Sequence, residues 1–193
     1  MEIEYIDEGH IYLCDGVIIP SVSELLRFIF PDKYTGIPER ILSEKAQFGT
    51  NIHKAIEDYE NGLEIALTGI EEIVFEQYLK VKAKYNIKVR EQEKLVCWQG
   101  RYAGRLDMIA EVDGKRYLID IKTTAKLDHV SLMWQLSYYQ MASGEKFDGL
   151  ACLWLPKNDI GRFIGFEEIP EKELRFELMR FETLNDTEWG CGL

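Results

Sequence analysis

The sequence lacks several features that mark other classes of protein. It has no low-complexity stretch and no apolar run long enough to cross a membrane, so disordered and transmembrane classes are excluded. Its first eight residues are acidic and contain neither the basic nor the apolar part of a signal peptide. No CxxC pair occurs among the four cysteines, Cys14, Cys97, Cys152 and Cys191. We therefore expect reduced thiols in a cytoplasmic protein with no membrane association.

Positive charge is also scarce, and a nucleic-acid partner usually requires it. The chain has 23 Lys and Arg against 34 Asp and Glu, which gives a net charge of −11. The acidity is concentrated, because residues 1–20 and 163–193 together carry ten of these eleven net negative charges. The segment 100–126 between them is richer in bases than in acids. Two acidic, solvated ends therefore do not exclude a nucleic-acid substrate for the middle of the chain.

What the chain does have is enough apolar sequence for one packed domain, since 46% of its 193 residues are hydrophobic. The patterns predict an α/β (α+β) fold with a mixed central sheet flanked by helices and a helical N-terminal segment. Ser21 and Thr68 are expected to cap helices. The predicted parts of this single domain, 1–193, are a helical region at about 21–86, a core at about 87–168 and a last helix at about 170–184.

Two neighbouring strands are predicted to bring two acids face to face. Asp113-Gly114 is a strong signal for a two-residue turn, which sets the register of the strands on either side. In that register Asp107 lies opposite Asp120, and Lys122 shares their face, opposite Arg105. The other face of the hairpin is apolar, as a core face should be, and includes Leu106, Met108 and Ala110.

The opposed acids call for an explanation. Cβ atoms of such a pair lie roughly 5 Å apart, where like charges are destabilising unless a cation or a shared proton relieves the repulsion. Carboxylate oxygens at that separation suit Mg2+ or Mn2+. A metal there would activate water and neutralise a phosphate oxygen, and Lys122 would orient the water or stabilise negative charge. The hairpin therefore predicts either a phosphodiester-cleaving site or two solvated acids on an exposed sheet face.

Four motifs in order resemble a known family. The GxxD strand from Gly104 to Asp107, followed by a strand ending in Asp120-Ile-Lys122-Thr123, is similar to the core of the PD-(D/E)xK nucleases. Gly49-Thr-Asn-Ile-His53 resembles the GxxxH helix of the RecB-like and phage-type exonuclease branch, and Gln135-Leu-Ser-Tyr-Tyr139 resembles its QxxxY helix. The resemblance covers about residues 10–155 and implies a restriction-endonuclease-like core.

The resemblance also implies roles for single residues. The catalytic metal would be bound by His53, Asp107, Asp120 and the main-chain carbonyl of Ile121, and Lys122 would be the catalytic lysine. The alternative to metal binding by His53 is a histidine that merely lies at the boundary of the core. The alternative to a substrate role for Tyr139 is ordinary packing of a tyrosine on a helix. The residues that we assign to substrate binding are Gln135 and Tyr139, with Arg105 opposite the lysine and Thr123 after it.

A further catalytic acid is expected on the preceding strand, where the resemblance implies Glu93, with Glu91 as the competitor of the same parity. A two-residue turn at Gln99-Gly100 would place Glu93 on the face away from the metal. A three-residue turn, 99–101, would place it opposite Asp107. The sequence alone does not choose between these turns.

The function implied by the resemblance is a Mg2+- or Mn2+-dependent DNA exonuclease in phage or prophage recombination or in DNA repair. It would act on linear duplex or single-stranded ends by metal-activated water. An endonuclease of the same fold and a non-cleaving module that binds DNA or a partner are the alternatives. The family is compatible with a single-strand annealing or helicase partner and with a homo-oligomer. No iron–sulfur cluster is expected, because Cys152 and Cys191 are isolated.

Overall fold

The N-terminal part of the chain, up to Lys84, folds into a small sheet and three α-helices. The computed structural model describes residues 2–189. The first strands form a three-stranded antiparallel sheet in the order β1-β2-β3. The bounds of these elements are β1 Ile3–Ile6, β2 Ile11–Cys14, β3 Val17–Ile19, α1 Val22–Ile29, α2 Glu39–Glu60 and α3 Ile70–Lys84.

The rest of the chain forms a five-stranded sheet in the order β4-β5-β6-β7-β8. Strands β6 and β7 are parallel and the other neighbours are antiparallel. Because a parallel pair needs a crossover, α4 connects them. The predicted mixed sheet flanked by helices is confirmed, and it is consistent with a restriction-endonuclease-like core. The bounds are β4 Lys88–Trp98, β5 Tyr102–Val112, β6 Lys115–Lys122, α4 His129–Ser143, β7 Gly149–Trp154, β8 Arg162–Phe166 and α5 Glu171–Trp189.

Helix starts show where the local sequence rules hold. Ser21 caps α1 as predicted, because its hydroxyl accepts the Glu24 N–H at 3.1 Å while the Glu24 carboxylate accepts the Ser21 N–H at 2.7 Å. The predicted cap at Thr68 is wrong. Helix α3 begins one residue later, after Gly69 at φ +63°, a conformation that glycine adopts without steric cost.

Two hydrophobic cores cover the two faces of the central sheet. The core on the α4 side joins α1, α4 and α5 to Ile109 and Leu118 of the sheet. The core on the α2 side joins α2 and α3 to Met108 and Ile119. The face that carries the predicted acids is therefore covered by helices and not exposed, which removes the alternative of two solvated acids.

The prediction that Leu106 shares a face with Met108 is wrong. Leu106 packs in the α4-side core with Ile109, although a regular strand would place these two residues on opposite faces. The hairpin ladder between β5 and β6 runs from Val112 to Met108, and Asp107 then bonds the neighbouring strand through its side chain. Strand β5 is therefore irregular at Asp107.

Two further observations concern the compartment predictions. Among the described residues, no helix combines the length and the apolar character needed to cross a membrane. Cys14, Cys97 and Cys152 are buried free thiols. Cys191 lies outside the described residues, so the expectation about an iron–sulfur cluster stays a prediction.

Candidate functional site

The site lies where β5 and β6 separate. Pairing follows the predicted register from Val112 opposite Lys115 to Met108 opposite Ile119. Beyond this point the Asp107 carboxylate reaches across, and its Oδ2 accepts the main-chain N–H of Ile121 at 2.7 Å. The carboxylate thus takes the place of a main-chain acceptor, which holds one of its oxygens in a fixed position beside β6.

His53 of α2 lies at the point where β5 and β6 separate and contacts both strands. Its Nε2 lies 3.0 Å from the Ile121 carbonyl oxygen, so the ring donates its Nε2–H there, and Nδ1 lies 3.6 Å from Asp107 Oδ1. With the proton on Nε2, the Nδ1 lone pair points at a carboxylate oxygen. A cation between these two atoms would satisfy both, and a main-chain acceptor for the second ring N–H is typical of metal-bound histidines.

Glu93 joins His53 and Asp107. The loop between β4 and β5 spans three residues, since Trp98 pairs with Tyr102, and this is the alternative that brings Glu93 towards Asp107. Ligand atoms of His53, Glu93 and Asp107 all lie within 4.8 Å of one another. We call these three residues the ligand cluster.

Glu91 lies outside the ligand cluster. It forms ion pairs with Lys94 at 2.7 Å and with Arg116 at 3.4 Å. In the cluster, burial and then repulsion from Asp107 raise the pKa of the Glu93 carboxyl above its usual range. The two acids of β4 therefore differ in environment as well as in position.

Asp120 and Lys122 form a pair beside the ligand cluster. Asp120 is 1% exposed, and its Oδ2 lies 2.6 Å from Lys122 Nζ. Its Oδ1 is buried and has no hydrogen-bond partner among the described residues. Burial raises the pKa of the Asp120 carboxyl, and repulsion from Asp107 adds to this effect. Burial alone would lower the pKa of Lys122, but the carboxylates of Asp120 and Asp107 outweigh it and raise it.

Helix α4 covers the two strand acids with a tyrosine. Tyr139 is almost fully buried, and burial together with the charges of Asp107 and Asp120 raises the pKa of its hydroxyl. Gln135, one turn earlier, has its Nε2 3.5 Å from the Tyr139 Oη. A Cβ at Gly104 would lie 2.5 Å from the Tyr139 ring, so the glycine of the GxxD strand makes room for this tyrosine.

The two other predicted substrate contacts occupy different positions. Arg105 lies next to the ligand cluster, where its Nε is 2.8 Å from Glu93 Oε2. Thr123 follows β6 and is half-buried, and its hydroxyl faces Gly49 of α2. The structure therefore places Arg105 at the ligand cluster and Thr123 at the contact between β6 and α2.

The residues present fit a divalent metal. The donor set combines the carboxylates of Glu93 and Asp107 with one imidazole. Asp120, also predicted as a ligand, is not part of this set, and its buried Oδ1 has no hydrogen-bond partner among the described residues. Sets dominated by carboxylate oxygens suit Mg2+ and Mn2+. The Ile121 carbonyl, also predicted as a ligand, accepts the hydrogen bond from His53 and keeps its second lone pair.

Sequence reasoning missed one wall of the site. A cavity of about 470 Å3 opens on the ligand cluster, and residues of the N-terminal hairpin line it, among them Asp7. Asp7 is exposed, as expected for the acidic start of the chain, and it also lines this cavity. The sequence signal for this wall was the segment His10-Ile-Tyr12, two residues of which line the cavity.

Comparisons with known proteins find similarity in structure only. No protein-family model matches the chain, and no curated protein matches it. The chain is similar to the crystal structure of SSO0001, with a TM-score of 0.48, 16% identity and coverage of 89% of this chain and 79% of the other. It is also similar to an alkaline exonuclease (LHK-Exo) from Laribacter hongkongensis, with a TM-score of 0.45, 11% identity and coverage of 85% and 87%.

Proposed function

We propose that this protein is a divalent-metal-dependent deoxyribonuclease that acts as an exonuclease. The observation that supports this proposal most is the ligand cluster with its neighbours. An imidazole and two carboxylates lie within 4.8 Å of one another, and the buried Asp120, paired with the half-buried Lys122, is close to them. Three acids in one partly buried site repel one another, which favours a bound cation over a purely structural role.

The residues of the chain have distinct tasks in this proposal. When bound, Mg2+ or Mn2+ supplies the charge that polarises a phosphate oxygen and activates a water. Asp107 and Glu93 hold that cation, and His53 is oriented for the same task by the Ile121 carbonyl. In the proposed step the water oxygen forms a bond to phosphorus and the P–O bond to the leaving oxygen breaks. The water loses one proton, and the leaving oxygen gains one.

Lys122 acts through its positive charge. Its amine is paired with Asp120 at 2.6 Å and keeps its proton, because the two strand carboxylates raise its pKa. A protonated amine next to the scissile phosphate orients the attacking water and stabilises the negative charge that develops on the phosphate oxygens. In this proposal Lys122 therefore acts as an electrostatic catalyst.

The first test compares linear with circular DNA as substrate. End-labelled linear DNA and closed circular DNA are incubated with Mg2+, with Mn2+ and with a chelator. We expect cleavage of the linear form only, and only with metal. Cleavage of both forms would show an endonuclease. Metal-dependent binding of DNA without any cleavage would show the non-cleaving module and overturn the proposal.

The second test uses variants to check the roles proposed for Lys122 and Asp107. Lys122→Ala is expected to lower the cleavage rate at least about 10²-fold, the effect of removing one preorganised donor, while Mn2+ still raises its melting temperature. Asp107→Asn is expected to lose both cleavage and this Mn2+ effect. Lys126→Ala, an exposed lysine four residues away, is the matched control and should behave as wild type. A Lys122→Ala protein that degrades linear DNA at the wild-type rate would contradict the role of Lys122.

The biological setting follows from the resemblance alone. We propose phage or prophage recombination or DNA repair, with a single-strand annealing or helicase partner supplying the DNA ends. The chain contains no GxxxxGK[ST] loop, so strand separation would come from another protein.

A further inference from the structure

The cavity at the ligand cluster has two different walls. One consists of the ligand cluster itself together with Thr50, Lys54, Glu57 and Arg105. The other is the N-terminal hairpin of β1 and β2, which contributes Tyr5, Asp7, His10 and Tyr12. We call these four residues the hairpin wall. The volume of about 470 Å3 lies in the range of sites that hold one small molecule, roughly 300–1,000 Å3.

The hairpin wall is held in place by its own hydrogen bonds. The Tyr5 Oη lies 2.5 Å from His10 Nδ1 and 3.2 Å from Asp7 Oδ1, so the hydroxyl links the imidazole to the carboxylate. The turn that carries His10 is tight, because the His10 N–H bonds to the Asp7 carbonyl at 3.2 Å. His10 has φ +53° and is preceded by Gly9 at φ +88°. The imidazole is thus fixed at the edge of the cavity.

Arg105 connects the hairpin wall to the ligand cluster. Its guanidinium lies 4.7 Å from the centre of the Tyr5 ring, and its Nε lies 2.8 Å from Glu93 Oε2. One side chain therefore contacts an aromatic ring of the N-terminal sheet and an acid of the central sheet. This contact places an aromatic ring, an imidazole and a guanidinium around a space that ends at the proposed metal.

These groups match the parts of a nucleotide. A base stacks on an aromatic ring, a phosphate is recognised by guanidinium and imidazole donors, and its remaining oxygens bind a divalent metal. We propose that the cavity is a binding site for one nucleotide, which is the terminal nucleotide of a DNA strand or the mononucleotide released from it. Tyr5 contacts the base, and His10 and Arg105 contact the phosphate. This inference rests on the proposed function for the identity of the ligand.

The test measures binding of deoxyadenosine 5′-monophosphate and of deoxyadenosine by calorimetry, in the presence of Mn2+. The wild-type protein is expected to bind the monophosphate at least tenfold more tightly than the nucleoside. His10→Ala should reduce this preference for the monophosphate. Tyr5→Ala should weaken both ligands at least tenfold, whereas Tyr5→Phe should keep nucleoside binding because it keeps the ring.

A matched control comes from the same strand. Glu4 alternates with Tyr5 along β1 and is not among the residues that line the cavity, so Glu4→Gln should bind both ligands as wild type does. Binding of Mn2+ alone should be the same in all these variants. Absence of monophosphate binding by the wild type, or identical binding by Tyr5→Ala, His10→Ala and Glu4→Gln, would overturn the inference.

Failure of this inference differs from failure of the proposed function. A protein that degrades linear DNA with Mn2+ but does not bind the monophosphate keeps its function and loses the nucleotide site. A protein that binds the monophosphate through Tyr5 and His10 but cleaves no DNA keeps the nucleotide site and loses the nuclease function.

Discussion

Glu93 occupies an unfavourable position in two respects. Its backbone has φ +48°, a left-handed conformation that costs a residue other than glycine about 1–3 kcal/mol. Its carboxyl is partly buried and close to Asp107, and both effects raise its pKa. An acid whose pKa is raised by folding lowers the free energy of unfolding at a pH above that pKa, because the folded state holds the charged form poorly. The surrounding structure therefore has to maintain this arrangement against local preference.

A Glu93→Gln variant tests whether the strain serves metal binding. Without metal, near neutral pH, its melting temperature should equal or exceed that of the wild type, because the buried charge is gone. The rise in melting temperature caused by Mn2+ should be smaller than in the wild type, because a ligand is lost. Thermal unfolding with and without Mn2+ measures both quantities.

Glu91→Gln is the matched control for this experiment. Glu91 lies on the same strand but pairs with Lys94 and Arg116 outside the ligand cluster. Its Mn2+ effect should equal that of the wild type. If Glu91→Gln loses the Mn2+ effect and Glu93→Gln keeps it, the ligand assignment is wrong.

The irregular stretch of β5 is the element that builds the site. From Met108 to Val112 the strand pairs with β6 in the register that the Asp113-Gly114 turn sets. At Asp107 the side chain replaces the main chain as acceptor, and β6 continues with β7 on its other side, up to Lys122 opposite Trp154. The gap gives α2 access to β6, which is why His53 bonds the Ile121 carbonyl.

A Gly104→Ala variant tests the contact between β5 and α4. The new Cβ would lie 2.5 Å from Tyr139 Cε1 and 3.2 Å from Val22 Cγ2, so the tyrosine over the acids must move. We expect a loss of about 1–3 kcal/mol in the free energy of unfolding, typical of overpacking. Gly165→Ala in β8 is the control, because a Cβ there meets no atom within 4 Å. Urea unfolding measures the free energy of unfolding of both variants. Equal values for the two variants would contradict the packing argument.

Local signals made the central sheet predictable. The turn at Asp113-Gly114 predicts the register in which β5 pairs with β6, and the observed pairing from Val112 to Met108 agrees with it. The face of Leu106 was not predictable, because it depends on a long-range hydrogen bond that the Ile121 N–H donates to the Asp107 carboxylate. The choice between turns that positions Glu93 also depends on tertiary contacts. The same holds for the contact of Tyr5 with Arg105, which joins residues 100 positions apart.

At the scale of the whole molecule, the acidic ends have different relations to the site. The C-terminal acids lie mostly on α5, which packs on α1 and α4 and contributes no residue among those that line the cavity. The N-terminal acids include Asp7, which does line it. Negative charge at the cavity comes from Asp7, Glu57, Glu93 and Asp107, and it would be offset by a bound metal and by the cations Arg105 and Lys54.

This distribution predicts weak DNA binding with a shallow salt dependence. Affinity for linear duplex, measured with Ca2+ in place of Mg2+, should fall with salt with a log–log slope of about −2 to −4, since each phosphate contact adds about −0.9. Asp7→Asn should tighten binding because it removes a negative charge at the cavity. Glu173→Gln on the exposed face of α5 should leave affinity unchanged, because DNA does not approach this helix. If Glu173→Gln tightens binding as much as Asp7→Asn, the DNA path crosses α5 and the acidic end repels the substrate. A slope steeper than about −6 would mean that DNA contacts an extended basic surface, and the single-nucleotide cavity would then not be its main point of attachment.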